Sequence, residues 1–230
     1  MSQSPRSADP VPFIRANTRL RPVPHVPEIM LHLADEAVPL WQKTEDELGE
    51  IGLPPPFWAF AWAGGQALAR YLLDNAERIA GQRVLDLAAG SGLVAIAAAR
   101  AGAAPVIAAE IDAFAASAIL LNVEANGVHA EVLVQDLLDH PAPAEPRYDL
   151  ILVGDLFYER RTAERALSFL ERHAALGCRV LIGDPGRAYL PRKRLVRLCE
   201  YRIPVARDLE DREIKRTAVW ELLAGTQPDR

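Results

Sequence analysis

An α/β fold built on a doubly wound, mostly parallel sheet is predicted from three observations. Between residues 82 and 183, short apolar runs alternate with helical segments. That order implies parallel strands joined by right-handed crossovers, with helices on both faces. The first run ends in Ala88-Ala89-Gly90-Ser91-Gly92, a turn small enough for backbone N–H groups to approach a ligand. Acids stand on or after three successive strands, Asp86, Glu110 and Asp136. All three then fall on the carboxyl edge of the sheet, where open α/β folds bind ligands.

Residues 83–87 suit a buried strand, 93–101 a small-residue helix and 105–109 a second strand. A helix over 114–126 ends at Gly127, a suitable residue just past a helix end. A strand at 130–134, a proline-rich loop at 139–146 and a strand at 148–153 follow. A charged helix over 160–175 leads through Gly177 to a strand at 179–182. Beyond it, a helix is expected near 191–199. Two strand-like runs, 201–206 and 217–223, then form a hairpin around a charged loop, 207–216.

The chain divides into an N-terminal extension, residues 1–55, and one domain, residues 56–230. Residues 1–12 are expected to be disordered, 13–20 to form a helix or extended arm, and 21–27 a polyproline-like connector with three prolines. Residues 28–35 read as a strand or short helix, and 44–52 as an acidic turn. Three prolines at 54–56 stiffen the approach to Phe57-Trp58-Ala59-Phe60-Ala61-Trp62. An amphipathic helix over 64–79 carries Leu68, Tyr71, Leu72 and Ile79 at helical spacing.

A formal net charge of −5 argues against a nucleic-acid-binding chain. No apolar run approaches the ~20 residues of a membrane span, and the first residues lack the apolar core of a signal peptide. A monomer in a reducing cytoplasm is expected. Cys178 and Cys199 show no CxxC spacing and the five histidines no ligand spacing, so free thiols and no metal are expected.

Gly90-Ser91-Gly92-Leu93-Val94-Ala95 formally fits the GxGxxA pattern of a dinucleotide site. The acids point elsewhere. A pyrophosphate is anionic, so Asp86 four residues before Gly90 would oppose it. S-adenosylmethionine instead presents an ammonium and a sulfonium. Glu110 suits both ribose hydroxyls, Ile111 an adenine face, and Asp136 the adenine amine. Alone, Asp86 could simply cap the turn, Glu110 or Asp112 the following helix, and Asp136 could be a solvated loop acid. Their order along one edge selects S-adenosylmethionine.

The run 84–92, with Glu110 and Asp136, resembles the motifs of the class I, seven-strand methyltransferases over residues 60 to 223. That resemblance implies a Rossmann-like seven-stranded sheet whose last strand is antiparallel and inserted beside the fifth, which fits the C-terminal hairpin. Residues 58–65, Gly154-Asp155-Leu156-Phe157-Tyr158-Glu159 and Gly183-Asp184-Pro185 are similar to the protein-lysine methyltransferases called family 16. The hexapeptide is most similar to enzymes that methylate lysines of the electron transfer flavoprotein β subunit. The resemblance implies S-adenosylmethionine as cofactor, S-adenosylhomocysteine as product, and a cofactor set of Trp62, Asp86, Gly90, Gly92, Glu110, Ile111, Asp136 and Asp155.

Asp155 is expected to orient the acceptor ε-amine, Glu159 to steer the cation and receive its proton, and Phe157 with Tyr158 to form an aromatic slot. Enzymes for planar amides or bases read Asn/Asp-Pro-Pro-Tyr here; Asp-Leu-Phe-Tyr lacks the prolines and disfavours such acceptors. Trp58 is left as core or substrate lip. The run Arg192-Lys193-Arg194 reads as a solvated helix face or a dock for an acidic partner. A ribosomal protein or small-molecule amine as acceptor, and a non-catalytic cofactor-binding protein, stand as alternatives.

Overall fold

The structure is a computed structural model that describes residues 10–34, 55–141, 143–204 and 214–223. Its elements are α1 (Pro10–Asn17), β1 (Arg19–Val23), β2 (Val26–Leu33), α2 (Ala63–Asp74), β3 (Val84–Leu87), α3 (Leu93–Arg100) and β4 (Val106–Glu110). There follow α4 (Ala113–Ala125), β5 (Glu131–Val134), β6 (Leu150–Gly154), α5 (Arg160–Ala174), β7 (Arg179–Asp184), β8 (Leu195–Pro204) and β9 (Ile214–Leu222).

Seven strands form one sheet in the order β5-β4-β3-β6-β7-β9-β8. β3 to β7 pair in parallel, and β9 enters antiparallel between β7 and β8. The strand order reverses beside β3, which opens a crevice at the carboxyl edge. The central strands are apolar runs because both faces are covered. Val84, Val106, Leu150, Leu152 and Leu181 pack under α2 and α3. Leu85, Leu87, Ile151, Val153 and Ile182 pack with Ala163, Ala166, Phe169 and Leu170 of α5. Alternate residues of each strand therefore serve opposite cores, as the two-residue period of a strand requires.

One expectation is corrected at the sheet's far edge. The helix near 191–199 is a short turn at Arg192–Arg194 followed by β8. An edge strand wet on one side carries mixed polar and apolar residues, and an irregularity between Arg197 and Cys199 breaks its alternation. Cys199 accordingly sits in a strand; both cysteines are free thiols. The expected loop 207–216 falls largely outside the described residues.

The N-terminal segment is also built in. Residues 10–12 belong to α1, and the expected polyproline connector is the β1–β2 hairpin. Two asparagines one turn apart, Asn122 on α4 and Asn126 capping its end, hold it. Asn126 accepts from Met30 N at 3.0 Å and donates to Met30 O at 2.6 Å. Asn122 accepts from His32 N at 2.7 Å and donates to Ser91 O at 2.8 Å. Asn122 thus links the hairpin to the turn after β3. Ile14, Trp58 and Phe60 complete a third apolar cluster against Phe114, Ala118 and Leu121. The acidic stretch 44–52 lies outside the described residues.

Candidate active site

A cleft of about 510 Å³ opens at the carboxyl ends of β3, β4, β5 and β6. Its floor is the β3–α3 turn, which adopts positive φ at Ala88 (56°), Gly90 (54°) and Gly92 (78°). Ala88 pays a steric cost there that glycine avoids. Leu87, Ala88 and Gly90 line the cleft; Gly92 instead starts α3 as its N-cap, against Ile119.

Glu110, at the end of β4, lines the cleft and organises this floor. One carboxylate oxygen accepts from Gly90 N at 2.9 Å, and the other from Ile111 N at 2.7 Å and Asp112 N at 3.3 Å. Burial pushes its pKa up, against the lowering by those three N–H donors. Ile111 stands beside it, 69% exposed, a large apolar side chain on the rim. Asp112 also lines the cleft and caps α4 through Phe114 N at 2.8 Å.

Asp136 follows β5 on the far wall. It accepts from Leu138 N at 3.0 Å and pairs with Arg165 of α5 at 2.8 Å. Arg165 holds the carboxyl below the usual carboxylate range. Asp86 differs from expectation. It is 1% exposed, outside the cleft lining, and accepts from Ala95 N in the first turn of α3 at 2.8 Å. Burial raises its pKa to about 8. Its visible work is to satisfy an unpaired helix N–H beneath the turn.

The acceptor end lies after β6. Asp155 is 8% exposed with φ 56°, a left-handed conformation that Asp tolerates better than most residues. One oxygen accepts from Gly65 N at 3.1 Å, which ties it to the start of α2. The other accepts from Arg187 Nη2 at 2.8 Å and Nε at 3.2 Å. Gly64 and Gly183 let α2 start directly on β7: a Cβ on Gly64 would collide with the Gly183 carbonyl oxygen, and one on Gly183 with that of Gly64.

Arg187 is held in turn by Asp184 at the end of β7. One Asp184 oxygen accepts from Gly186 N at 2.6 Å and Arg187 N at 2.7 Å; the other is buried without a partner. Burial, then the charge of Asp155, raises Asp184 to about 6 against those N–H donors.

Aromatic rings line the cleft, but Phe157 is not among them. Phe157 is fully buried among β6, β7 and α5 residues and does not line the cleft. Tyr158, half exposed, does, and Phe57 contacts it at 5.7 Å between ring centres. Trp62 completes the group at 5.9 Å from Phe57, its indole N–H donating to Phe57 O at 2.8 Å. The Arg187 guanidinium lies 5.7 Å from the Trp62 ring centre. Trp58 is buried and also lines the cleft.

Glu159 turns away. Its two oxygens accept from Arg161 N at 2.9 Å and Thr162 N at 2.7 Å, which makes it the N-cap of α5. The Thr162 hydroxyl first, and then those two N–H donors, hold its carboxyl below the usual range. Arg192 and Lys193 lie on the short turn before β8, and Arg194 pairs with Glu171 at 2.9 Å. Among the described residues, no group of three metal-ligating side chains occurs, and no helix is long and apolar enough to cross a membrane.

Sequence reasoning missed Phe57, Arg165 and Arg187 at the cleft. Arg165 was the least hidden, since a cation on α5 packed beside β5 has an acid to meet. The donor set fits S-adenosylmethionine: carboxylates for its cations and hydroxyls, small residues for close approach, and apolar rims for its rings. When bound, that cofactor supplies a methyl group on a sulfonium.

A family model described as ribosomal protein L11 methyltransferase (PrmA) matches residues 66–156. Magnesium protoporphyrin IX methyltransferase from Synechocystis PCC 6803, solved with bound SAH, shares the fold. It gives a TM-score of 0.52 at 14% identity, covering 83% of this chain and 100% of that one. Fold and cleft together define an S-adenosylmethionine-dependent methyltransferase of class I.

The electron transfer flavoprotein beta subunit lysine methyltransferase of Mus musculus is 39% identical over 204 residues, covering 85% of this chain and 76% of that protein. The Homo sapiens protein of the same name is 36% identical over 208 residues, covering 88% and 76%. The chain belongs to this family of methyltransferases.

Proposed function

We propose that the protein is a protein-lysine N-methyltransferase whose substrate is the electron transfer flavoprotein β subunit, and that it acts as a cytoplasmic monomer. The observation that carries the lysine reading is Asp155, an acid at the end of β6 beside the rings of Phe57, Trp62 and Tyr158. An aliphatic stem ending in an amine fits such a slot, its methylenes against the rings and its nitrogen at the carboxylate. The names of the relatives support the same substrate.

The residues divide the work on this reading. Glu110 holds the ribose and fixes the β3–α3 turn through Gly90, with Gly92 starting the helix behind it. Ile111 packs on the adenine, Asp136 accepts from its amine, and Trp62 borders the methionine end. Asp86 acts from beneath, by fixing α3. Asp155 and Tyr158 orient the acceptor nitrogen in line with the methyl group, which is the chief demand of a displacement at carbon. Closing the slot with aromatic rings excludes water from that nitrogen. Incubation with labelled S-adenosylmethionine and a lysate of the same organism tests the substrate class. Label on protein lysine is expected; label confined to nucleic acid or glutamine refutes it.

A further inference from the structure

An unpaired carboxylate beside the acceptor would work against the reaction. An opposite charge favours the protonated form of an amine, and an ammonium has no lone pair with which to attack. Asp155 is not unpaired. Arg187 approaches one of its oxygens with two nitrogens, at 2.8 and 3.2 Å, and the same guanidinium faces Trp62 at 5.7 Å. The arginine cannot lose its charge at any working pH. Its backbone is fixed by Asp184 within a tight turn, so the cation is delivered by the fold rather than by a free side chain.

We infer that Arg187 is a positioning residue that balances the charge of Asp155, so that the cleft accepts the substrate lysine as a free amine rather than as an ammonium. The inference rests on the lysine reading given above. The lysine proton leaves to bulk water before the transfer. The Nε lone pair then forms the N–C bond while the pair of the broken S–C bond stays on sulfur. The products are a methylated ammonium and a neutral thioether.

The other charged groups around this point do not replace Arg187. Asp184 on β7 and Glu110 on β4 add negative charge, Tyr158 adds none while it keeps its proton, and Glu159 is turned to α5. Arg165 faces Asp136 and Asp139 across the cleft. The first turn of α2 contributes backbone N–H of Gly65 and no ionisable side chain.

The test compares the full-length wild type with Arg187→Met, Arg187→Gln and Arg187→Lys. Methylation of the purified electron transfer flavoprotein β subunit of the same organism is followed from pH 6 to 10. In the Met and Gln variants the acid limb of kcat, which reports the bound lysine, moves up by about one pH unit, a deficit of about tenfold at pH 7 that shrinks as pH rises. The Lys variant keeps the wild-type midpoint.

A second readout needs no turnover. Peptides spanning the methylated site, with lysine or norleucine, are titrated at pH 7. The Met variant prefers the lysine peptide by about tenfold more than the wild type does. A profile lowered by one factor at every pH, or an unchanged peptide preference, overturns the role of Arg187 alone. If the wild type methylates no lysine, the lysine reading and this inference fall together. Calorimetry with S-adenosylhomocysteine confirms that each variant is folded; should Met fail, Gln carries the comparison.

Discussion

Glu110 accepts the backbone N–H of Gly90, twenty residues earlier in the chain, at 2.9 Å. An acid at the end of one strand therefore sets the shape of the turn after its neighbour, and the cofactor floor and the ribose site are one unit. Glu110→Ala removes three charge-assisted hydrogen bonds to backbone as well as the ribose contact. Each such bond contributes about 1.5–3 kcal/mol, so S-adenosylhomocysteine binding by calorimetry weakens about 10- to 100-fold. Unchanged affinity would separate Glu110 from the cofactor.

Glu159 divides the sequence expectation from the structure. As the N-cap of α5 it stabilises the helix and does not itself line the cleft. Glu159→Ala lowers the thermal midpoint by about 3 °C and leaves the kcat of methylation within about threefold. A loss of 100-fold or more would restore the proton-acceptor role expected from the hexapeptide.

Asp86 makes stability depend on pH. Its folded pKa of about 8 lies above the ordinary 3.8 because the carboxyl is buried. The folded state keeps that proton where the unfolded chain has released it. The contribution is therefore full below about pH 4 and is lost as pH rises toward 8. Asp86→Asn keeps an acceptor for Ala95 N–H and removes the titration. Its urea midpoint should fall less between pH 5 and 8 than that of the wild type; parallel slopes would contradict the buried, protonated carboxyl.

The central β3 to β7 alternation was legible because buried parallel strands leave apolar runs and a Gly-rich turn is hard to disguise; the inserted antiparallel strand came from the family resemblance. Glu110, Asp136 and Asp155 were legible for the same reason: each follows such a run. Local sequence could not say which way a loop side chain points. Phe157 and Glu159 flank Tyr158, yet Phe157 is buried in the core and Glu159 caps α5. Phe57 and Arg187 reach the slot from distant loops, so only folding brings them to Asp155. The N-terminal hairpin was hidden because its order comes from Asn122 and Asn126, about ninety residues away.

Lysine methylation beside Asp155 is tested directly by one experiment. The purified protein, and its Asp155→Asn variant, are incubated with S-adenosylmethionine and the electron transfer flavoprotein β subunit of the same organism, and the product is mapped by mass spectrometry. The wild type should add methyl groups to lysine ε-nitrogen. Asp155→Asn, which keeps one acceptor oxygen of the two that Gly65 and Arg187 use, should slow transfer by about 100-fold while still binding S-adenosylhomocysteine. Methylation of the β subunit at full rate by the variant, or none by the wild type, would contradict the account.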